Sequence, residues 1–282
     1  MRKAIFMFIV LTVYPTFAQI SSGTIIVFNF TKDQIVVAAD SRGVNTVPPP
    51  DDSECKIAAF HDQFIFASVG KIRYKAGPFE PVESWNNTSV ARNALENATK
   101  DMAIDDAYLD KVVTYWATVI TDNWNQLCNS TRAQCPNLAP QKVPLTTGIF
   151  IRARGLSMRG AEIEFDSSFA KFLKHVSYEI GEALAQCWPC GQGERVCIAG
   201  SHLDVAAQFC STRKPDTKLI VRTALTGADE HTKLAVAIAE KTIDTHEKSA
   251  GDVGGKVDVV TVTRDGGITW NARKEDCPKN QD

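Results

Sequence analysis

The sequence predicts an α+β fold in which two antiparallel sheets pack together and helices cover their outer faces. Three observations support this prediction. Two apolar hairpins occupy residues 25–70, helical periodicity occupies residues 90–125, and strands and a helix follow again in the second half of the chain. Strands, helices, strands, helices and strands in this order favour two sheets that pack on each other and leave their other faces to the helices.

The two hairpins are apolar runs separated by short polar turns. Ile25 to Phe30 is followed by the polar turn Thr31 to Gln34 and then by the run Ile35 to Arg42. The second pair of runs is Lys56 to Phe60 and Phe64 to Gly70. Runs of this length that are rich in β-branched and aromatic residues and bounded by turn residues predict strands.

Spacings of three and four residues predict helices in the next part of the chain. Val90 to Asn125 has this pattern, with a break at Asp101 to Asp106 that suggests two helices. The later elements are predicted as strands 146–153, 161–165 and 195–199, a short helix that ends at Phe209, a helix over 232–248, and strands 256–262 and 268–271. The segments 128–144 and 186–193 are expected to be surface decorations.

Four residues near the ends of the hairpins stand at regular distances. Asp40 follows Thr24 by 16 residues, and Lys56 follows Asp40 by another 16. Gly70 follows Lys56 by 14 residues. Because a hairpin of this length returns the chain beside its start, we expect Asp40 to lie close to Thr24 and Lys56 to reach the same place. A threonine that begins a mature chain carries its own base, since its freed α-amino group lies beside its hydroxyl. The pattern therefore indicates a hydrolase.

In these residues the chain resembles the proteasome-type N-terminal-nucleophile (Ntn) hydrolases, among them the proteasome beta subunits. The matching elements are Gly23-Thr24, the sequence Ala-Ala-Asp-Ser-Arg that ends at Arg42, the pair Lys56-Ile57, and Gly70, all at the spacing of that family. The resemblance implies a four-layer αββα sandwich formed by one domain over residues 24–282. It also implies maturation by cleavage before Thr24, with residues 1–23 as signal peptide and propeptide.

The roles of these residues follow from what the hydrolysis of an amide requires. Thr24 Oγ would attack the carbonyl carbon, and the α-amine of Thr24 would accept the proton and deliver it to the leaving amine. The charge of Lys56 would lower the pKa of the hydroxyl, and Asp40 would keep that ammonium charged and oriented. The backbone N–H of Gly70 is the candidate oxyanion donor, because a residue without Cβ lets a carbonyl approach the main chain.

Two further residues are candidates for the distal half of the site. Ser201 follows a glycine in a small-residue turn of the kind that the resemblance implies. Asp252 lies two residues before Gly254-Gly255, where the family commonly has Asp-x-x-Ser-Gly-Gly. In this chain Val253 takes the place of that serine, so the distal half departs from the pattern.

The substrate pocket is predicted from the residues around Gly70. Ser68 and Ile72 flank this glycine and are expected to line the pocket for the residue before the scissile bond. A small serine and an apolar isoleucine favour an uncharged side chain there, although Glu54 could reverse this preference.

The first residues have the layout of a secretory signal. Met1-Arg2-Lys3 is basic, residues 4–17 are largely apolar, and small residues follow. The apolar stretch is short for a transmembrane span, and an uncleaved anchor is the alternative. An export cut followed by self-cleavage before Thr24, or one cut alone, would free the threonine. We therefore expect a secreted protein, or a periplasmic one if the source is bacterial.

The chain contains eight cysteines, an even number that favours structural disulfides in an exported protein. Cys128 and Cys135 flank a polar loop and are the expected local pair. Cys187 and Cys190 have the spacing of a redox or metal pair. They are expected to follow a helix and to precede a loop, which is not the context of such a pair.

Composition places the chain among ordinary globular proteins. It has 282 residues, of which 44% are hydrophobic and 23% charged, and its formal net charge is −2. Such a charge gives no indication of nucleic acid or of an anionic membrane as a partner. We expect a peptide or amide substrate, no cofactor or metal, and no stable membrane insertion. The resemblance implies stacked subunits, so a homo-oligomer is a possible partner arrangement that the sequence leaves undecided.

Three hypotheses for function are open at this point. The first is an exported N-terminal threonine amidohydrolase that cleaves peptide bonds. The second is a catalytically silent member of the same fold that serves as a binding or assembly subunit, favoured if Gly23-Thr24 stays uncut. The third is a disulfide-handling protein that uses Cys187 and Cys190. The N-terminal residue of the exported chain would separate the first two.

Overall fold

The structure is a computed structural model that describes residues 19–23, 25–45, 51–77, 82–98, 104–130, 145–177, 185–190, 194–200, 203–213, 218–246 and 253–277. Within these ranges two antiparallel sheets pack face to face, and helices cover both outer faces. The predicted α+β fold with four layers, αββα, is confirmed.

The first sheet contains eight strands. They are β1 (Gln19–Gly23), β4 (Gly43–Asn45), β5 (Ile57–Phe60), β6 (Phe64–Lys75), β7 (Trp85–Asn86), β8 (Thr146–Arg152), β9 (Ser157–Asp166) and β10 (Lys171–Ser177). Their order is β10-β9-β8-β6-β1-β4, and β5 and β7 also pair with β6. The long strand β6 is therefore the centre of this sheet.

The second sheet contains six strands. They are β2 (Ile25–Phe30), β3 (Gln34–Asp40), β11 (Gln186–Pro189), β12 (Arg195–Gly200), β13 (Val257–Thr263) and β14 (Ile268–Ala272). Their order is β11-β12-β2-β3-β13-β14. The first predicted hairpin, β2 with β3, thus forms the middle of this sheet.

Four helices of the described chain form the outer layers. Helices α1 (Asn87–Ala98) and α2 (Asp106–Ser130) pack on the first sheet, and α3 (Leu203–Thr212) and α4 (Glu230–His246) pack on the second. The predicted break between the first two helices is confirmed. Helix α2 extends to Ser130, so the start of the predicted 128–144 loop is helical, and residues 131–144 lie outside the described residues.

Both faces of the central strands are buried, which explains why they are almost continuously apolar. On β6, Phe64 and Phe66 face helices α1 and α2, whereas Ile65 and Ala67 face the other sheet. The first sheet and helix α2 approach closely at Gly148 of β8, where an added Cβ would come within 2.4 Å of the Trp116 ring. Only glycine fits beneath that ring.

Several strands are absent from the sequence predictions, and one prediction is wrong. Residues 186–193 are not simply a surface decoration, because Gln186–Pro189 forms the edge strand β11 paired with β12. Its short sequence ends in proline, which a sheet tolerates at an edge. The helix expected before Cys187 falls on residues 178–184, which lie outside the described residues. Strand β10 is also absent from the sequence predictions, because only Phe172 of that strand is fully buried and its periodicity is weak.

The cysteines of the described chain are paired. The described disulfides are Cys55–Cys277, Cys187–Cys197 and Cys190–Cys210. Cys128 is also disulfide-bonded, and its expected partner Cys135 lies outside the described residues. Because Cys187 and Cys190 bind different partners, the hypothesis of a redox or metal pair is wrong. Structural disulfides are typical of oxidising compartments.

Glu162 of β9 provides a test of the described packing. Burial raises the pKa of Glu162 to about 7, and the nearby Glu164 carboxylate adds to the rise. A carboxyl with a raised pKa stabilises the fold while protonated, and that stabilisation is lost as the pH rises through about 7. Glu162→Gln should therefore raise the melting temperature at pH values above 7 and leave it almost unchanged near pH 4.

Thermal unfolding followed by circular dichroism across this pH range measures the effect. Glu83→Gln is the matched control, because Glu83 is exposed. An increase of equal size at all pH values, or none at high pH, would contradict the burial of Glu162.

Candidate active site

The candidate site lies at one end of the sandwich, where the chain passes from one sheet to the other. Gly23, the last residue of β1, pairs with Gly70 of β6 and with Gly43 of β4 in the first sheet. Ile25, the first residue of β2, pairs with Gly200 in the second sheet. Thr24, between Gly23 and Ile25, lies outside the described residues, but both of its neighbours are placed.

Asp40 is the residue on which the site converges. It is the last residue of β3 and is 1% exposed. Its Oδ1 accepts a hydrogen bond from the N–H of Ile25 at 3.2 Å and another from Lys56 Nζ. Its Oδ2 accepts from the N–H of Gly254 at 3.1 Å and from that of Arg42 at 3.3 Å. The carboxylate therefore connects four parts of the chain: the start of β2, the turn after β3, Lys56 and Gly254.

Lys56 and Asp40 form an ion pair that is sealed from solvent. Both side chains are 0% exposed. Lys56 precedes β5, and its carbonyl accepts a hydrogen bond from the N–H of Ser68 at 3.1 Å. A buried charge is costly unless an opposite charge and hydrogen bonds compensate it. The predicted meeting of these two residues is therefore present, and each fixes the other.

A pair of glycines completes the wall beside Asp40. Gly254 lies against Arg42, where an added Cβ would be 2.4 Å from the guanidinium carbon. Gly255 has a φ of +73°, and a Cβ there would be 2.2 Å from Ser41 Oγ. A left-handed backbone and the absence of space both favour glycine. Sequence reasoning aligned these glycines with the family pattern but missed that the Gly254 amide contacts Asp40.

Arg42 is in turn held by a surface carboxylate. Its Nε and Nη2 bind the two carboxylate oxygens of Asp52 at 2.6 and 2.9 Å, which is a bidentate pair. This contact with Arg42 holds the pKa of Asp52 below its usual value. The pair fixes the turn that follows Asp40.

Gly70 lies within β6 rather than at a turn. Its φ is +80°, and a Cβ would come within 2.4 Å of the Leu145 carbonyl oxygen. Gly70 also pairs with Thr146 of β8 on one side and with Gly23 on the other. The strand thus places main chain without a side chain beside Gly23.

A small cavity of about 220 Å³ lies beside this strand, and Ser68 and Ile72 are among its lining residues. The remaining lining residues are Ser53, Glu54, Cys55, Arg73, Asn86, Thr88 and Ser89. Glu54 is not an isolated charge in the wall, because Arg73 Nη2 lies 2.8 Å from its Oε1 and 3.1 Å from Asp51 Oδ2. Arg73, the residue after Ile72, is absent from the sequence predictions, because a charged side chain on a strand gives no signal of its partner.

The other two predicted site residues, Ser201 and Asp252, lie outside the described residues. Their described neighbours are at this end of the sandwich, because Gly200 pairs with Ile25 and Gly254 binds Asp40. Among the described residues there is no group of three or more histidine, cysteine, aspartate or glutamate side chains that could hold a metal ion. None of the described helices has both the length and the apolar composition that a membrane span needs.

Comparisons with known proteins give similarities in structure and none in sequence. No protein-family model matches the sequence, and no curated protein sequence matches it. Among solved structures, the chain is similar to eukaryotic HslV from Trypanosoma brucei at 15% identity and a TM-score of 0.43. The similarity covers 85% of this chain and 99% of that one.

The buried ion pair gives a direct stability prediction. Lys56→Met should lower the free energy of unfolding by about 3–5 kcal/mol, because it leaves the Asp40 carboxylate buried without the ammonium. Adding Asp40→Asn to Lys56→Met should recover part of this loss, because the carboxylate charge is then also removed. Urea unfolding at pH 7 measures both variants.

The control is Lys233→Met, which removes the exposed pair between Lys233 and Glu230. It should change the free energy of unfolding by less than about 1 kcal/mol. A double variant that is no more stable than Lys56→Met would show that the two charges do not depend on each other.

Proposed function

We propose that the protein is an N-terminal threonine hydrolase of the proteasome type that cleaves peptide bonds after cleavage before Thr24. The observation that carries the proposal is the buried Asp40 carboxylate. One of its oxygens binds both Lys56 Nζ and the N–H of Ile25, the residue that follows Thr24. The two polar groups that such a nucleophile needs are therefore tied to the peptide unit next to it.

The proposed reaction proceeds in two stages. Thr24 Oγ attacks the substrate carbonyl carbon while the α-amine of Thr24 takes the hydroxyl proton, and the C–N bond breaks as that proton passes to the leaving amine. Water then attacks the resulting ester and frees the acid and the threonine hydroxyl. The Lys56 ammonium stabilises the oxygen as it loses its proton, and Asp40 keeps the ammonium in place. The N–H of Gly70 is the proposed oxyanion donor.

The strand β1 supports a peptide as the substrate. Residues 19–23 lie extended between β6 and β4, and the strand ends opposite Gly70 at the bond before Thr24. If cleavage releases this segment, β6 and β4 regain unpaired main-chain edges. An extended peptide would add to those edges as a strand, with its scissile carbonyl beside Gly70 of β6.

The lining of the cavity supports an uncharged residue before the scissile bond. Ser68 leaves space, Ile72 offers an apolar surface, and the Glu54 charge is balanced by Arg73. A site with a balanced carboxylate gives little attraction to a basic side chain.

Export and processing complete the proposal. Residues 1–23 would be removed, by an export protease, by self-cleavage or by both, and residues 24–282 would form the mature domain. Ser201 and Asp252 remain candidates for the distal half of the site. The paired cysteines support a secreted or periplasmic location, and a homo-oligomer is a proposal that size measurement tests.

A second candidate is a silent binding or assembly subunit of the same fold. The observation that favours it is also β1, because an uncut chain already fills the groove between β4 and β6 with its own strand. The two candidates differ in the state of the Gly23–Thr24 bond in folded, exported protein.

Processing and labelling at Thr24 decide between them. In exported wild-type protein the mass should correspond to a chain that starts at Thr24, and a peptide epoxyketone, which requires the hydroxyl and the free amine, should label it. Thr24→Ala and Lys56→Ala should each lower amide hydrolysis by about a thousandfold or more, because they remove parts of one catalytic unit.

Matched controls are Thr114→Ala, at an exposed position of α2, and the double variant Cys187→Ser/Cys197→Ser. Both should keep hydrolysis within about twofold of wild type, since neither site touches the proposed unit. A stable folded protein that begins at Gln19, or labelling that persists in Thr24→Ala, would contradict the proposal and favour the silent subunit.

Specificity gives a further prediction. Arg73→Ala removes the guanidinium that balances Glu54, so the preference should shift towards a basic residue before the scissile bond. We expect the ratio of kcat/KM for arginine over leucine at that position to rise about tenfold, which corresponds to about 1.4 kcal/mol. Fluorogenic peptides that differ only in this residue measure the ratio. Arg73→Lys keeps a positive charge and should keep the wild-type ratio; an unchanged ratio in Arg73→Ala would exclude this role for Glu54.

A further inference from the structure

A second cluster of buried charges lies close to Lys56, at the C-terminal end of the described chain. Arg273 and Lys274 follow β14, and both reach Asp258 of β13. Lys274 Nζ lies 3.4 Å and Arg273 Nη1 lies 3.8 Å from Asp258 Oδ2. The three side chains are 2–7% exposed. Burial lowers the pKa of Lys274, Asp258 opposes this, and the nearby charge of Lys56 adds to the lowering.

The two cations of this cluster hold the backbone on both sides of Lys56. Lys274 Nζ donates a hydrogen bond to the carbonyl of Glu54, and Arg273 Nη1 donates to the carbonyl of Ile57 at 2.8 Å. Burying an ammonium and a guanidinium is costly, so acceptors at fixed positions are needed to compensate them. Here those acceptors are the main-chain oxygens that flank one lysine.

A covalent bond holds the same segment. Cys55, the residue immediately before Lys56, forms a disulfide with Cys277 across a sequence separation of 222 residues. The C-terminal segment is itself closed into a turn, because the N–H of Cys277 donates to the Lys274 carbonyl at 3.2 Å. Residues 273–277 therefore contribute one hydrogen bond before Lys56, one after it, and the disulfide at its neighbour, in addition to the bond between the Ser68 N–H and the Lys56 carbonyl.

We propose that the C-terminal segment Arg273 to Cys277 is a positioning element that sets the place of Lys56 for hydrolysis. The inference rests on the function proposed above. A lysine side chain has many rotamers, so the contact with Asp40 alone fixes its ammonium but not the main chain from which it extends. The ties at Glu54, Cys55 and Ile57 fix that main chain. A displacement of about 1 Å at a reacting group can cost about a hundredfold in rate.

The first test removes one hydrogen-bond donor of the segment. Lys274→Met should lower kcat by about 10-fold to 100-fold and leave KM within about twofold, because Lys274 does not line the proposed pocket. Lys274→Arg keeps a donor for the Glu54 carbonyl and should restore most of kcat. Lys256→Met is the control, since Lys256 is exposed and lines a separate cavity together with Lys274; it should leave kcat unchanged.

The second test removes the covalent bond, and it also serves if Lys274→Met fails to fold. The double variant Cys55→Ser/Cys277→Ser should lower kcat, whereas Cys190→Ser/Cys210→Ser, which removes the disulfide between the end of β11 and helix α3, should not. All rates are measured at least about ten degrees below the melting temperature of the least stable variant, because single substitutions shift the melting temperature by several degrees. The rates then refer to folded protein.

The outcomes separate this inference from the proposed function. If wild-type protein cleaves no peptide and Thr24 takes no epoxyketone label, the proposed function fails and the inference fails with it. If wild-type protein is active but folded Lys274→Met and Cys55→Ser/Cys277→Ser keep wild-type kcat, only the inference is overturned. Equal losses in Cys190→Ser/Cys210→Ser would also overturn it, because the effect would then be one of general stability.

Discussion

The ion pair between Asp40 and Lys56 is the interaction on which this end of the molecule depends. Neither side chain reaches solvent, so each charge offsets part of the cost of burying the other. The carboxylate also accepts hydrogen bonds from the main-chain amides of Ile25, Arg42 and Gly254. Four segments far apart in sequence are thereby fixed around one buried group, and the shape of the candidate site follows from the need to keep that group compensated.

The layered fold brings these segments together. Strands β1 and β4 belong to the first sheet, whereas β2 and β3 belong to the second, so the chain changes sheet between Gly23 and Ile25 and again after Asp40. Both changes occur at the same end of the sandwich, as the pairing of Gly23 with Gly43 requires. A reactive group placed at such a crossing is held by two rigid sheets, which suits chemistry that needs fixed geometry.

Much of this arrangement could be predicted from the sequence, because the central hairpins are apolar on both faces and their turns are short. The contact between Asp40 and Lys56 also followed, since hairpin lengths fix which strand ends are neighbours. What could not be predicted depends on distant partners. Strand β1 has no alternation that distinguishes it from a leader, β10 buries Phe172 alone, and nothing local indicates that Cys55 bonds Cys277. The Gly254 amide was missed for the same reason, because a main-chain donor has no residue-type signal.

The bond between Cys55 and Cys277 makes the chain from β5 to the last described strand a covalent ring. A single break of the backbone inside this ring leaves the two pieces joined, so a protease that nicks a loop there releases no fragment until the disulfide is reduced. The bond between Gly23 and Thr24 lies outside the ring. A cut at that bond would leave residues 1–23, which contain no cysteine, without a covalent link to the rest of the chain even in an oxidising medium. The disulfide therefore protects one part of the chain against separation by a single nick and leaves the N-terminal part outside that protection.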